Sequence, residues 1–181
     1  MLFTDCFNRE AALKVRIIGI DPGYAIVGYG VVDCDGYNFK TVGYGAITTS
    51  SGAPFPSRLD DIYTDMNTLL KRYTPDAMSI ERLYFNTNTT TAIDVAQARG
   101  VILLSAKQNG VKIFEYTPLQ VKQSITGYGK AEKRQVMEMI KSFLNLKSVP
   151  KPDDTADALA LAVCHGHCQG NLYSKLSEGI I

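Results

Sequence analysis

The stretch VRIIGIDPGYAIVGYGVVD, residues 15–33, decides the fold class of this chain. Its first half is an apolar run that ends in Asp21, and Pro22-Gly23 follows as a turn signal. Its second half is rich in Val, Ile and Tyr, and Asp35-Gly36 comes next as a hairpin signal. We therefore predict strands at 15–21, 25–33 and 37–48 that form an antiparallel meander.

Beyond the meander, strand-like and helical patterns alternate along the chain. Apolar residues recur at helical spacing, and Gly or Pro residues separate the periodic segments. We predict two further strands, at 77–82 and 111–116, and five helices, at 57–73, 91–108, 118–123, 131–146 and 153–169. This pattern predicts an α/β fold in which a five-stranded mixed sheet is flanked by helices.

Length and composition favour one ordinary globular domain. A chain of 181 residues buries enough surface to fold without disulfides or a structural metal, so we expect its four cysteines to be reduced thiols. No apolar run is long enough to span a membrane, and we find no secretory signal, so we expect a cytoplasmic protein without membrane contact. We expect an N-terminal extension at 1–14, the domain at 15–169 and a C-terminal tail at 170–181.

The net charge of +1 conceals an asymmetry along the chain. Residues 107–151 contain nine Lys or Arg and three acids, an excess of six positive charges, and the rest of the chain carries five net negative charges. A basic segment beside an acidic remainder suits phosphodiester chemistry, although solvated helix faces explain it equally well.

Four acids stand out by their positions in the predicted elements. Asp21 and Glu81 end strands, whereas Asp154 and Asp157 share one face at the start of the last helix. Such carboxylates can converge at one sheet edge and bind two Mg²⁺ ions, or Mn²⁺, which activate water and stabilise a leaving oxygen. Taken singly, Asp21 could be a turn former and the helix-start acids could be caps. Glu81 is harder to explain structurally, because an unpaired carboxylate in an interior strand is costly.

Four segments then resemble a known family, in its order and spacing. They are IIGIDPGYAIVGYGVV at 17–32, SIERLYFNTNTTTAIDVAQARGV at 79–101, VKQSITGYGKAEKRQV at 121–136 and DDTADALALAVCHGH at 153–167. They resemble the RuvC family of crossover-junction (Holliday junction) endodeoxyribonucleases, in the RNase H-like superfamily. The resemblance implies an RNase H-like fold and a homodimer that nicks two strands of like polarity in four-way DNA junctions. It also implies a role in recombination and repair beside the branch-migration proteins RuvA and RuvB.

The resemblance assigns roles to individual residues. It implies that Asp21, Glu81, Asp154 and Asp157 are the catalytic metal ligands, with Asp154 favoured over Asp153 because it stands three residues before Asp157. It places Lys122 and Lys133 near the scissile phosphate, Lys133 as a catalytic residue, and Tyr84 as an aromatic that stacks on bases. Phe85 follows Tyr84, and which of the two rings stacks is left open.

The basic segment adds a prediction from charge alone. Four basic side chains can neutralise phosphates: Lys122, Lys130, Lys133 and Arg134. Two glycines, Gly127 and Gly129, would allow the backbone to approach DNA closely, although a plain loop is an equal alternative.

A group of cysteines and histidines near the C-terminus is spaced too tightly for a usual zinc site; its members are Cys164, His165, His167 and Cys168. We therefore favour a helix C-terminal role for the two histidines.

Three other functions compete with a junction nuclease. An RNase H-like nuclease acting on RNA fits the acids, but the basic 121–136 segment and QARG argue against it. GIDPG also suits an actin-like ATPase or sugar kinase, yet the chain is too short for a second lobe. A non-catalytic junction-binding module would not need four acids.

For the dimer, we predict the apolar helix at 91–108 as a candidate interface, with core packing as the alternative.

Overall fold

Five strands form one mixed sheet in the computed structural model, which describes residues 14–36, 38–83 and 91–177 and, from residue 170 onward, only their backbone. The strands are β1 (Val15–Asp21), β2 (Ile26–Cys34), β3 (Phe39–Thr48), β4 (Ala77–Glu81) and β5 (Lys112–Tyr116). Their order across the sheet is β3-β2-β1-β4-β5. The first three strands pair antiparallel, and β1, β4 and β5 pair in parallel. The predicted meander and five-stranded mixed sheet are confirmed.

Helices cover both faces of the sheet. They are α1 (Phe55–Tyr73), α2 (Ala92–Gln108), α3 (Pro118–Thr126), α4 (Lys133–Phe143) and α5 (Asp153–Ser177). Side chains alternate between the faces of β1, so Ile18 and Ile20 join the cluster with α1 and α2, and Ile17 joins the cluster with α4 and α5. Because both faces of β1 are covered, its apolar run is nearly continuous, as is typical of interior strands.

Helix α5 lies directly on the centre of the sheet. A Cβ at Gly19 would stand 1.9 Å from the Ala158 carbonyl oxygen, and one at Gly28 would stand 2.1 Å from that of Asp154. These two glycines of β1 and β2 therefore allow the helix backbone to touch the sheet, which fixes the position of the helix start.

Several element boundaries differ from the prediction. Helix α3 continues to Thr126, because Gly127 takes the left-handed backbone (φ 82°) that ends it. Helix α4 begins at Lys133, not at 131, since the Gln135 side chain accepts the Glu132 N–H at 2.8 Å and caps the helix there. Helix α5 runs past 169 to Ser177. Among the described residues, no helix has the length and apolarity that crossing a membrane requires.

Candidate active site

Asp21 and Glu81 stand side by side at one edge of the sheet. Each is the last residue of its strand, and β1 and β4 are parallel neighbours in which Ile20 pairs with Ile80. Parallel strands end at the same edge, so the chain direction alone brings these two carboxylates together, as the sequence predicts.

The start of α5 brings the other two acids to the same edge. Gly28, against which the Asp154 backbone packs, is the β2 partner of Asp21. Asp157 follows one helical turn later, on the same face as Asp154. The close approach of α5 to the sheet thus places the first turn of the helix beside the ends of β1 and β4.

The convergence of these carboxylates raises the pKa of two of them, Asp21 and Glu81. Burial, and then the charges of Glu81, Asp157 and Asp154, raise the pKa of Asp21 to about 7. Burial and Asp157 likewise raise the pKa of Glu81, and Lys133 acts on both groups in the opposite direction. Carboxylates that raise one another's pKa in this way share a site that favours bound positive charge.

Lys133, the first residue of α4, supplies part of that positive charge. Its Nζ lies 2.9 Å from Asp157 Oδ2 and 3.7 Å from Asp153 Oδ2. Asp153 itself is 44% exposed and pairs with Lys151 at 2.7 Å. Asp154, and not Asp153, is among the acids whose charges raise the pKa of Asp21.

The four acids fit a hard divalent cation by chemistry. All four present carboxylate oxygens, the ligands that Mg²⁺ and Mn²⁺ prefer. Within the described ranges, no three Asp, Glu, His or Cys side chains form a group that could hold one metal ion.

A cleft of about 260 Å³ opens beside the acids. Glu81, Asp157 and Lys133 line it together with Pro118, Val121 and Lys122 of α3. Lys130 and Arg134 are exposed and are not among the residues that line it. Two of the predicted basic residues, Lys122 and Lys133, therefore line the cleft together with Glu81 and Asp157, an arrangement that can hold a phosphodiester beside the carboxylates. Tyr84 and Phe85 lie outside the described residues.

Arg99 is a site residue that the sequence did not single out individually. This α2 side chain donates to the Glu81 carbonyl oxygen at 3.2 Å and pairs with Glu115 of β5, so it ties the ends of β4 and β5 together. The only signal was its place in the QARG motif, because the contact depends on how α2 crosses the sheet.

The predicted helix C-terminal role of the histidines is wrong, because α5 continues well past them. His165 is buried, its Nδ1 lies 2.7 Å from the Tyr116 hydroxyl, and its Nε2 lies 3.0 Å from Gln169 Nε2. His167 lies 3.1 Å from the Ser124 hydroxyl. Burial lowers the pKa of both histidines, so they are neutral packing residues.

The fold and the acidic edge together define the class of protein. A five-stranded mixed sheet with carboxylates at the ends of its central strands, and lysines around the adjoining cleft, is the architecture of an RNase H-like nuclease.

The comparisons with known proteins narrow this class to one family. The model of the family described as crossover junction endodeoxyribonuclease RuvC matches residues 17–165. RuvC of Brevibacillus brevis is 55% identical over 166 residues, 92% of this chain and 99% of the relative. RuvC of Alkaliphilus metalliredigens is 59% identical over 151 residues, 83% of this chain and 92% of the relative.

A solved structure agrees with the sequence relatives. T. thermophilus RuvC in complex with a Holliday junction substrate matches with a TM-score of 0.78 at 32% identity, over 85% of this chain and 94% of that one. The chain belongs to the RuvC family of crossover junction endodeoxyribonucleases and is an enzyme that hydrolyses DNA.

Proposed function

We propose that this enzyme resolves Holliday junctions: it nicks two strands of like polarity in a four-way DNA junction, during recombination and repair. The observation that carries the proposal is the convergence of Asp21, Glu81, Asp154 and Asp157 beside a cleft that Lys122 and Lys133 line. A backbone phosphate in the cleft would meet the lysines, and its scissile bond would face the acids.

The four acids would hold two Mg²⁺ ions, or Mn²⁺ in their place. When bound, such ions supply an activated water and stabilise the leaving oxygen of the phosphodiester. Asp21 is the central ligand in this proposal, because its pKa is raised to about 7 by burial and by the other three carboxylates. A bound cation would hold it ionised at neutral pH.

Lys133 has a second role in this proposal. Its Nζ pairs with Asp157 at 2.9 Å while remaining 55% exposed, so it can turn from the carboxylate to a phosphate oxygen without breaking a buried contact. Lys122 would hold a neighbouring phosphate from the α3 side of the cleft. We also propose that DNA is bound by Lys130, Arg134, Tyr84 and Phe85.

The assembly and setting are also proposals. We place the nuclease domain at 15–169 and expect a cytoplasmic homodimer that works on junction DNA with RuvA and RuvB. The dimer has support from α2, on which Ile93 is 64% exposed and Leu104 is 51% exposed. The predicted interface is narrower than the whole helix, because Ala98 and Ile102 are buried in the core of one chain.

A substrate panel tests the proposed function. The full chain is incubated with a synthetic four-way junction, a linear duplex of matched sequence and an RNA–DNA hybrid, each with Mg²⁺ or with a chelator. We expect paired nicks in the four-way junction only, only with Mg²⁺, and no cleavage by Asp157→Asn. Faster cleavage of the hybrid than of the junction would assign the site to an RNase H-type activity instead.

A further inference from the structure

The turn between α3 and α4 presents an aromatic ring to solvent. Tyr128 lies between Gly127 and Gly129 and is 49% exposed, a large fraction for a ring in a globular domain. Sequence alone could not distinguish this turn from a plain loop. Three structural features distinguish it.

The first feature is that the turn is held rigidly. The Thr126 hydroxyl lies 2.8 Å from the Lys122 carbonyl oxygen and 2.9 Å from that of Tyr128, and it accepts the Tyr128 N–H at 3.4 Å. Gly127 takes a left-handed backbone (φ 82°), which few other residues adopt without strain. The Thr126 side chain thus contacts both the N–H and the carbonyl of Tyr128. These contacts fix the backbone position from which the ring projects.

The second feature is the contact between the turn and the first turn of α3. A Cβ at Gly129 would stand 2.2 Å from Leu119 Cδ1, so the chain folds back along α3 to the first turn of that helix. Pro118, beside Leu119, lines the active-site cleft. The turn that carries Tyr128 therefore packs on the first turn of α3, the helix that supplies Pro118 and Lys122 to the cleft.

The third feature is the charge around the ring. Lys130 is exposed two residues later, and Lys122 lines the cleft on the helix against which the turn packs. A cation on the same turn as an exposed ring favours a polyanion with flat apolar groups, which is the chemistry of a nucleic-acid strand. An apolar protein partner would gain nothing from these lysines.

We propose that Tyr128 is a stacking platform for a nucleobase next to the scissile phosphate, on the α3–α4 side of the cleft. The proposal rests on the proposed function and adds a base contact separate from the aromatic pair at Tyr84 and Phe85. Stacking at a junction requires an unpaired or strained base, so Tyr128 would favour DNA that is opened near the cut.

Three substitutions separate stacking from the other roles that the ring could have. Tyr128→Phe keeps the aromatic face and loses the hydroxyl, Tyr128→Leu keeps apolar bulk without an aromatic face, and Tyr128→Ala loses both. Each is made in the active chain for single-turnover cleavage and in an Asp21→Asn background for binding. The probe is a synthetic four-way junction that carries 2-aminopurine, in turn, at each nucleotide within three of the cut.

We expect wild-type-like binding for Tyr128→Phe and a roughly 5- to 100-fold loss of junction affinity for Tyr128→Ala and Tyr128→Leu. Single-turnover cleavage at subsaturating chain should fall with the affinity, since the ring is proposed to bind the DNA that is cut. The wild-type chain and Tyr128→Phe should quench the 2-aminopurine fluorescence at one of the tested nucleotides, whereas Tyr128→Leu and Tyr128→Ala should not.

Two results would overturn the proposal. If Tyr128→Leu binds and quenches as the wild type does, the ring only packs against protein. If Tyr128→Phe fails as Tyr128→Ala does, the hydroxyl makes the contact and stacking is absent. Because the deciding comparison is between Tyr128→Phe and Tyr128→Leu, a folding defect in Tyr128→Ala does not prevent a decision. A wild-type chain that neither binds nor cuts the junction would instead contradict the proposed function.

Discussion

Two neighbouring carboxylates at the start of α5 have different surroundings. Asp153 is 44% exposed and pairs with Lys151 at 2.7 Å, whereas Asp154 contributes to the raised pKa of Asp21. The difference arises because successive residues on a helix point about 100° apart, so only one of the two can face the sheet edge. The family pattern favours Asp154 from its spacing, and its role as a metal ligand stays a prediction.

We predict that Asp154→Asn lowers junction cleavage by more than about 100-fold, because it would remove a proposed charged metal ligand worth several kcal/mol in the transition state. Asp153→Asn is the matched control, one residue away with the same chemical change. It should stay within about threefold of the wild type, since an exposed ion pair contributes less than about 1 kcal/mol. Cleavage rates at saturating Mg²⁺ measure both, and the reverse ranking would reassign the ligand to Asp153.

His165 has a lowered pKa, although it has no part in the proposed reaction. Burial lowers the pKa of this histidine to about 4, from an ordinary value of 6.5. The unfolded chain therefore binds a proton between these two pH values when the folded chain does not. By linkage, the stability that the neutral ring contributes is complete above pH 6.5 and is lost as the pH falls towards 4.

We predict that acidification through this window lowers the free energy of unfolding by up to about 3 kcal/mol through His165 alone. Urea denaturation at a series of pH values measures the effect. His165→Gln should unfold more easily at neutral pH, because it loses packing against Phe114 and Tyr116, but its stability should fall less steeply between pH 6.5 and 4. If the free energy of unfolding of the two chains falls equally steeply between pH 6.5 and 4, the His165 ring is protonated in the folded chain and its pKa is not lowered.

At the scale of elements, sequence patterns predicted the strands and the shared edge of Asp21 and Glu81, because both depend on chain direction. A strand's last residue lies at its carboxyl end wherever the strand stands in the sheet, so Asp21 and Glu81 could be assigned to one edge. The role of Arg99 could not be predicted in this way, because its contact with the Glu81 carbonyl depends on how α2 crosses β4. The C-terminal role predicted for the histidines of α5 was wrong because the helix was predicted to end at 169, two residues after His167, whereas it continues to Ser177.

The contact between α5 and the sheet gives a prediction for Gly28. In Gly28→Ala, the new Cβ would stand 2.1 Å from the Asp154 carbonyl oxygen, and backbone cannot move aside as a side chain can. We expect α5 to shift, the free energy of unfolding to fall by roughly 1–3 kcal/mol or more, and cleavage to fall with it.

Gly52→Ala is the control for Gly28→Ala, because the atom nearest to its Cβ is the Ser50 hydroxyl at 3.9 Å. It should change neither stability nor cleavage by a measurable amount. Urea denaturation and the junction assay are run on both variants. If Gly28→Ala is as stable and as active as Gly52→Ala, the helix start is not fixed by backbone contact, and the placement of Asp154 and Asp157 needs another cause.

At the scale of the whole molecule, the described residues form one acidic edge beside its cleft, whereas the proposed reaction needs two cuts. A four-way junction has approximate two-fold symmetry. A two-fold dimer presents two equivalent sites facing the same way, as closed symmetric assemblies do. The exposed Ile93 and Leu104 of α2 offer apolar surface for such a contact, and a charge at Leu104 should weaken it.

We predict that an excess of Asp21→Asn chain, mixed with active chain under conditions that exchange subunits, converts paired nicks into single nicks. Each active subunit then sits mostly beside an inactive one, so it cuts one strand and leaves a nicked junction. The products are separated on denaturing and native gels. The control is Leu104→Glu, tested in the same mixing experiment. If α2 forms the interface, this variant should be monomeric by light scattering. It should also produce few paired nicks even without the inactive chain. Paired nicking that falls only with the active fraction, with no nicked junctions accumulating, would mean that one chain makes both cuts.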